Sequence, residues 1–481
     1  MRILSKTALL LISLLSLSTL VMSEFAGTAA GVGIGVVDQV KKIGMPIIQQ
    51  KLNDVQVGTI EFSGGSVQDL DLKFKFNNFD NIKVGFSGAN NGVSVDAHDI
   101  SGEITGKFAY KFLFIHTSGN FKVAMDNDAV KLTMAVPLTS QNINGRSVPA
   151  VDIKNFNLNI DSSKIHITLS GSILADIADA FVFIFKRLII YEITKVVNKD
   201  VPDVAKSSIN KILASTNGRE TVYGNIMLDF TFPAQPKITD SNMDLFLNAT
   251  LYDSSRGSYY IPAVAVADVQ MLPATSNSVE LSVSHYTADS LFAALQEMNL
   301  FKYHLDPAIA GKFASMLTTT FLDGLLPGIE AKYGKDLPVS VGFKSTSSPN
   351  ALFQKNDFGV LLDLDLTFEV NNETAIVISF EDFSSTINVS LDKTNLKIQV
   401  EKCAIDQVQA SQSKIGDFNV SEFKAFFNVA SRAAIPFINN MLLENPFVLP
   451  DTFLGVVKII DAQFQSFDNY LAVSVTPQII A

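Results

Sequence analysis

Polar and apolar residues alternate without a break along Asp69-Leu70-Asp71-Leu72-Lys73-Phe74-Lys75-Phe76. They do so again along Phe156-Asn157-Leu158-Asn159-Ile160 and Ile165-His166-Ile167-Thr168-Leu169. A period of two sends successive side chains to opposite faces, so these segments are predicted antiparallel strands with one wet and one dry face. Such strands dominate to about residue 170, and Gly- and Asn-rich stretches at 87–92 and 142–145 supply turns. The second half resumes the pattern. Leu362-Asp363-Leu364-Asp365-Leu366-Thr367-Phe368-Glu369-Val370 alternates throughout, as does Ile387-Asn388-Val389-Ser390-Leu391, which places Asn388 on the wet face.

Helical spacing interrupts the strands. Within 24–52, a small-residue lead-in gives way to Val36, Val37, Val40, Ile43, Ile47 and Ile48 at helical intervals. A long helix is predicted over 173–213, with Pro202 as the point where it would break. Ile173, Ile177, Phe181, Ile184, Leu188 and Tyr191 share one of its faces, and Leu174, Phe185 and Ile189 widen that face beyond an ordinary amphipathic stripe. Such a face either seals a sheet's core or lines an apolar pocket; spacing alone leaves both open. The second half adds a short helix at 291–298, a helical run at 307–332 and a helix at 420–443 ended by Asn445-Pro446. Phe232-Pro233-Ala234-Gln235-Pro236 denies both strand and helix and reads as a linker. The order of elements repeats across it: mixed sheet, then a long apolar helix near the end of each half. The fold class is α+β.

The N-terminus changes the picture of where this chain works. Arg2 and Lys6 precede an apolar run at 7–21, and Val21-Met22-Ser23 suits a signal peptidase, so residues 1–23 are predicted to be a signal peptide. The apolar stretch at 177–185 is far short of the ~20 residues that span a bilayer. The expected mature protein is therefore secreted and extracellular. Its formal charge moves from −11 to −13 with loss of Arg2 and Lys6, which argues against nucleic acid as a partner. Apolar residues make up 47% and charged residues 18%, and the mean hydropathy is +0.25. That is more apolar side chain than an ordinary core demands; an internal lipid cavity or a large exposed patch would use the excess. Cys403 is the only cysteine, so no intramolecular disulfide forms. Sequons at Asn248, Asn372, Asn388 and Asn419 are candidate glycosylation sites.

No catalytic constellation is visible, and neither an enzyme activity, a cofactor nor a metal is expected. His98, His116, His166, His285 and His304 lack metal-ligand spacing. His166 alternates with Ile165 and Ile167 and belongs on a solvated strand face. The glycines Gly31, Gly33 and Gly35 follow no strand and lack the spacing of a dinucleotide fingerprint. Neither Gly64-Gly65-Ser66 nor Gly85-Phe86-Ser87-Gly88 makes a nucleophile elbow. Asp126-Asn127-Asp128 lacks the glycine and terminal glutamate of a calcium loop and reads as a turn. Asp363 and Asp365 share a wet sheet face, and Cys403 has no neighbouring cue for reactivity.

Several segments, in order, resemble the bactericidal/permeability-increasing and lipopolysaccharide-binding protein family, which includes the cholesteryl ester and phospholipid transfer proteins. They are Asp99-Ile100-Ser101-Gly102-Glu103, Thr117-Ser118-Gly119-Asn120-Phe121, Val148-Pro149-Ala150-Val151, Asn159-Ile160-Asp161-Ser162 and Ile165 through Gly171. In the second half they are Val283-Ser284-His285-Tyr286 with Ser290-Leu291-Phe292, Phe321-Leu322-Asp323-Gly324-Leu325-Leu326-Pro327, Lys414-Ile415-Gly416-Asp417-Phe418 and Asn445-Pro446-Phe447-Val448-Leu449-Pro450. The resemblance implies a boomerang of two elongated barrels, each a twisted antiparallel sheet wrapped on long helices, joined by a central sheet. It places an N-terminal lipid-binding barrel at 24–229, the Pro-containing linker and central sheet at 230–244 and a C-terminal barrel at 245–481.

What the resemblance implies functionally is a lipid-binding protein with an apolar pocket in each barrel. Phospholipid is the expected ligand, with transfer between membrane or lipoprotein surfaces; oligomeric state is left open. The residues expected to line the first pocket are Ile173, Ile177, Phe181, Ile184, Phe185 and Leu188. For the second they are Leu291, Phe292, Leu295, Phe426, Phe427 and Ile435. Two departures qualify the likeness. The family's N-terminal disulfide is absent, its positions falling near Phe156 and Val201, at a cost of ~2–5 kcal/mol unless apolar contact replaces it. And between Lys51 and Phe79, the acids Asp54, Glu61, Asp69 and Asp71 outnumber Lys51, Lys73 and Lys75, where endotoxin-binding relatives are basic. Host-defence recognition of microbial envelope lipid is the alternative, and a dry-cored adhesive glycoprotein a third reading.

Overall fold

The computed structural model describes residues 27–112, 115–171, 175–255, 269–392, 395–417, 419–444, 447–448 and 457–480. Two curled antiparallel sheets of eight strands, one from each half, are joined by a six-stranded central sheet, with a smaller three-stranded sheet beside the junction. The strands are long because alternation runs on through them. Gly92–Phe112 pairs with Ile115–Ile143 over most of their lengths. Strands of this length curl where bulges interrupt the ladder. Asp99 and Asp128 sit at φ 60° and 61°, next to register shifts at Ala97/Ile100 and Ile100/Gly102. The Asp126-Asn127-Asp128 segment is therefore a kink inside one strand, not the turn its composition suggests.

Among the described residues, four helices of more than two turns dress the sheets: α1 (Ile34–Asn53), α2 (Ala175–Ala214), α3 (His285–Glu297) and α4 (Val420–Glu444). α2 passes Pro202 without a break. A proline inside a helix costs about 3 kcal/mol. Here Ile193, Val197, Val201 and Ala205, on both sides of it, are all buried against the N-terminal core and hold the helix straight through. The helical run expected over 307–332 is broken. The structure has a 3-10 turn (Gly311–Met316) and two one-turn helices, Thr319–Leu322 and Ile329–Tyr333. Gly311 and Gly328 adopt φ of 54° and 98°, and Pro327 intervenes, so punctuation overrides the apolar periodicity.

Strands from both ends of the chain build the central sheet. Thr28–Val32 lies between Met243–Leu247 and Val279–Ser284, and beyond the latter come Tyr470–Ile479 and Val457–Phe467. Here the early glycines find their use. The backbone at 272–276 runs so close that a Cβ on Gly33 would sit 1.8 Å from the Thr275 carbonyl oxygen. Val201 is buried in the N-terminal apolar cluster and Phe156 packs against it, so apolar contact holds the two positions near which the resemblance puts a disulfide.

Candidate lipid-binding site

α1 packs on the N-terminal sheet and on α2. Val36, Met45 and Leu52 are buried along it. On the adjoining face Val37, Val40, Ile43, Ile47 and Ile48 look across to Val93, Val95, Met134, Val136 and Leu138 of the two longest strands, with Ile209 of α2 and Ile238 of the central sheet also lining the space. Between these walls lies a hollow of 120 Å³. Gly44 helps to make it: a Cβ there would meet nothing within 4 Å.

Lys41 is the only charged residue lining the hollow among the described residues. Its side chain is 7% exposed, and its ammonium donates to the Asp38 carboxylate and to the Ile82 carbonyl, each at 2.8 Å. The methylene stem faces the space while the charge is satisfied at its rim, the usual division for a long amphipathic side chain. The interior thus suits hydrocarbon and offers a polar headgroup nothing. An engineered apolar cavity of about 150 Å³ binds benzene, so a hollow of this size has room for a small apolar group.

The residues that the sequence marks for the first pocket are placed as follows. Ile173 lies outside the described residues, as do the side chains of Ile177, Phe181, Ile184 and Phe185; Leu188 is half-buried against the N-terminal core. The lining contributed by α1 was in plain view as helical spacing, and only its contact with the sheet gives it this role. In the second half Leu291, Phe292 and Leu295 are half-buried on α3, with Phe292 edge-on to Phe301 at 6.2 Å. α3 packs on Thr250–Asp253 and Asn350–Gln354, whereas α4 packs on Asn395–Ala404. Phe427 joins Phe380, Phe383 and Phe423 in the C-terminal core; Ile435 is half-buried, and the side chain of Phe426 is outside the described set. The two groups of second-pocket residues therefore rest on different strands.

Electrostatics around these elements are structural. On α3, Asp289 accepts from the Ala351 amide at 2.6 Å and pairs with His285 at 3.1 Å, which pins the helix to Asn350–Gln354. Burial pushes its carboxyl above the usual range, against the pull of those donors. Burial likewise pushes the pKa of the half-buried Cys403 thiol up. In the N-terminal barrel Lys73, Lys107 and Lys122 are each paired with an acid, Asp71, Asp69 and Glu103 respectively. His166 is exposed and pairs with Asp126, as a solvated strand face predicts. Asn372, Asn388 and Asn419 are exposed, while Asn248 is half-buried with its amide donating to Thr231. No helix among the described residues is long and apolar enough to cross a membrane.

Two curled sheets on a shared central sheet, with an apolar hollow under a helix, define a two-barrel protein built around apolar interiors. The C-terminal-domain profile of the LBP / BPI / CETP family matches residues 222–479, more than half of the chain. The chain belongs to this family of lipid-binding proteins. Its fold is similar to the crystal structure of lipopolysaccharide binding protein, with a TM-score of 0.55 at 16% identity, covering 95% of this chain and all of that one. Takeout 1 of Epiphyas postvittana matches 37% of this chain and 89% of its own at 15% identity, with a TM-score of 0.24 that is too low to bear on the fold. None of the curated proteins matches in sequence.

Proposed function

We propose that this chain is a secreted carrier that shelters the acyl chains of a phospholipid-like lipid and passes them between membrane or lipoprotein surfaces, with no chemical step. The observation that carries the reading is the hollow under α1, whose lining among the described residues holds no charge except the outward-turned Lys41. Hydration disfavours a free tail by ~0.8 kcal/mol per CH₂, so a benzene-sized, roughly six-carbon segment escapes about 5 kcal/mol. That gain biases a tail toward the protein without holding it for long, which suits exchange better than storage. Exposed sequons at Asn372, Asn388 and Asn419 fit passage through a secretory pathway; a glycan on Asn248 would displace its bond to Thr231. Lys73, Lys107 and Lys122 of the N-terminal barrel are each neutralised by an acid, which leaves none of the three free for a lipopolysaccharide phosphate.

Gly44→Leu tests the reading. The new side chain enters the hollow, and replacing a helical glycine adds about 0.5–1 kcal/mol of helix stability. The expected result is a protein at least as stable as wild type that co-purifies with much less lipid by native mass spectrometry. Wild-type lipid content in a folded Gly44→Leu protein would remove the hollow from the mechanism.

A further inference from the structure

Beside the junction of the barrels, Arg219–Tyr223, Ile226–Asp229 and Thr250–Asp253 form the three-stranded sheet. Its register sets Arg219 directly across from Asp229. Asp229 is only 1% exposed, and its carboxylate is already engaged. One oxygen accepts from the Thr231 amide and hydroxyl, and the other from the Arg146 guanidinium, whose Nε donates to the Asn217 carbonyl. Arg219 is left over. Its guanidinium lies 5.4 Å from the centre of the Tyr252 ring, and its Nε is buried with no hydrogen-bond partner among the described residues.

Both arginines, with Asn248 and Ser147, line an open cleft of 460 Å³ in which Asp229 is the only acid among the described residues. Two cations thus face one saturated carboxylate, in a chain whose net charge is −11. A buried donor without a partner costs about 1–3 kcal/mol, and a guanidinium is shaped to give two parallel bonds to one oxyanion.

We propose that this cleft is a binding site for a small oxyanion of the phosphate or phosphomonoester class. Arg219 grips the anion in a forked bond, and Arg146 supplies the second positive charge. The site is separate from the hollow under α1 and does not depend on the lipid-carrier reading. Its anion is either free in solution or the exposed phosphate of a lipid headgroup, and the same chemistry serves both.

The test uses the full secreted chain. Inorganic phosphate is titrated by calorimetry at low ionic strength, and phosphatidylcholine vesicles with and without phosphatidic acid are assayed by flotation. Arg219→Gln should weaken the binding by at least about tenfold, the loss of one charge-assisted bond. Arg219→Lys, which keeps the charge and loses the fork, should fall between the two and guards against a folding defect. Saturable phosphate binding that follows this order identifies a free-anion site. Binding seen only with phosphatidic acid vesicles, in the same order, identifies a headgroup site. Absence of any Arg219-dependent binding in both arms, or equal affinity in wild type and Arg219→Gln, would overturn the proposal.

Discussion

Under α1 in the N-terminal barrel, the space between helix and sheet is walled by Val, Ile and Met and is not filled. Under α4 in the C-terminal barrel, Phe380, Phe383, Phe423 and Phe427 meet with ring centres 5.8–6.5 Å apart. The difference lies in side-chain reach. β-branched residues are short and stiff at χ1, and with Gly44 in the facing helix they stop short of each other. Phenylalanine rings are long enough to cross the same kind of gap, and their offset and edge-on contacts add attraction beyond area. One fold thus yields an open apolar space in one half and an interlocked ring cluster in the other, depending on which apolar residues the chain supplies.

The comparison breaks most sharply at Phe380, which is 2% exposed. Phe380→Ala should cost about 3–5 kcal/mol in denaturant unfolding. It should also open a space in the C-terminal core that takes xenon or benzene. A cost below about 1 kcal/mol would mean that the ring cluster is not what fills that core.

Lys41 probes the other side. Lys41→Met keeps the stem against the hollow but leaves the Ile82 carbonyl without its donor. Thermal unfolding should show a loss of about 1–3 kcal/mol, with lipid content unchanged, which separates the rim from the interior.

The smallest effect is at Asp152, whose carboxyl is held below its ordinary value of 3.8 chiefly by the hydrogen bond from Lys206 of α2, against the opposite pull of burial. A depressed carboxylate stabilises the folded state above the unfolded value, and the benefit is lost as pH falls through the folded one. Asp152→Asn should therefore cost less than about 1 kcal/mol near neutrality. The variant and wild type should converge in stability well below pH 3.8, as urea titrations across that range would show.

Much of the scaffold is legible in the chain. Unbroken alternation at 69–76 and 362–370 announces strands, and the spacing from Val36 to Ile48 announces α1. Periodicity fails where local punctuation outweighs it: Gly311, Pro327 and Gly328 break up 307–332 although apolar residues recur there at helical intervals. It also fails in the opposite sense at Pro202, where burial on both sides carries a helix through a residue that should end it. The site was harder to read. Residues on one face of a helix are visible, but whether that face meets neighbours or empty space depends on side chains more than fifty residues away, such as Val95 and Met134 opposite Val40. Arg219 carried no signal at all, because its lack of a partner follows from Asp229 being already occupied.

Gln39 bonds the amide of Ile479, 440 residues away along the chain, and Thr28–Val32 sits inside a sheet whose other strands are at 237–284 and 457–479. A ribosome adding about 5–20 residues per second emits the strand's own neighbours, 243–247 and 279–284, on the order of ten seconds to a minute after it. The residues 457–479 follow on the order of twenty seconds to a minute and a half after it. Until the first of its own neighbours emerges the strand has both edges bare, and Val279–Ser284 keeps one edge bare until 470–479 arrives. Closure of the centre must therefore be a late event in biogenesis, and the nascent chain calls for shielding from neighbours of its own kind until the last residues arrive.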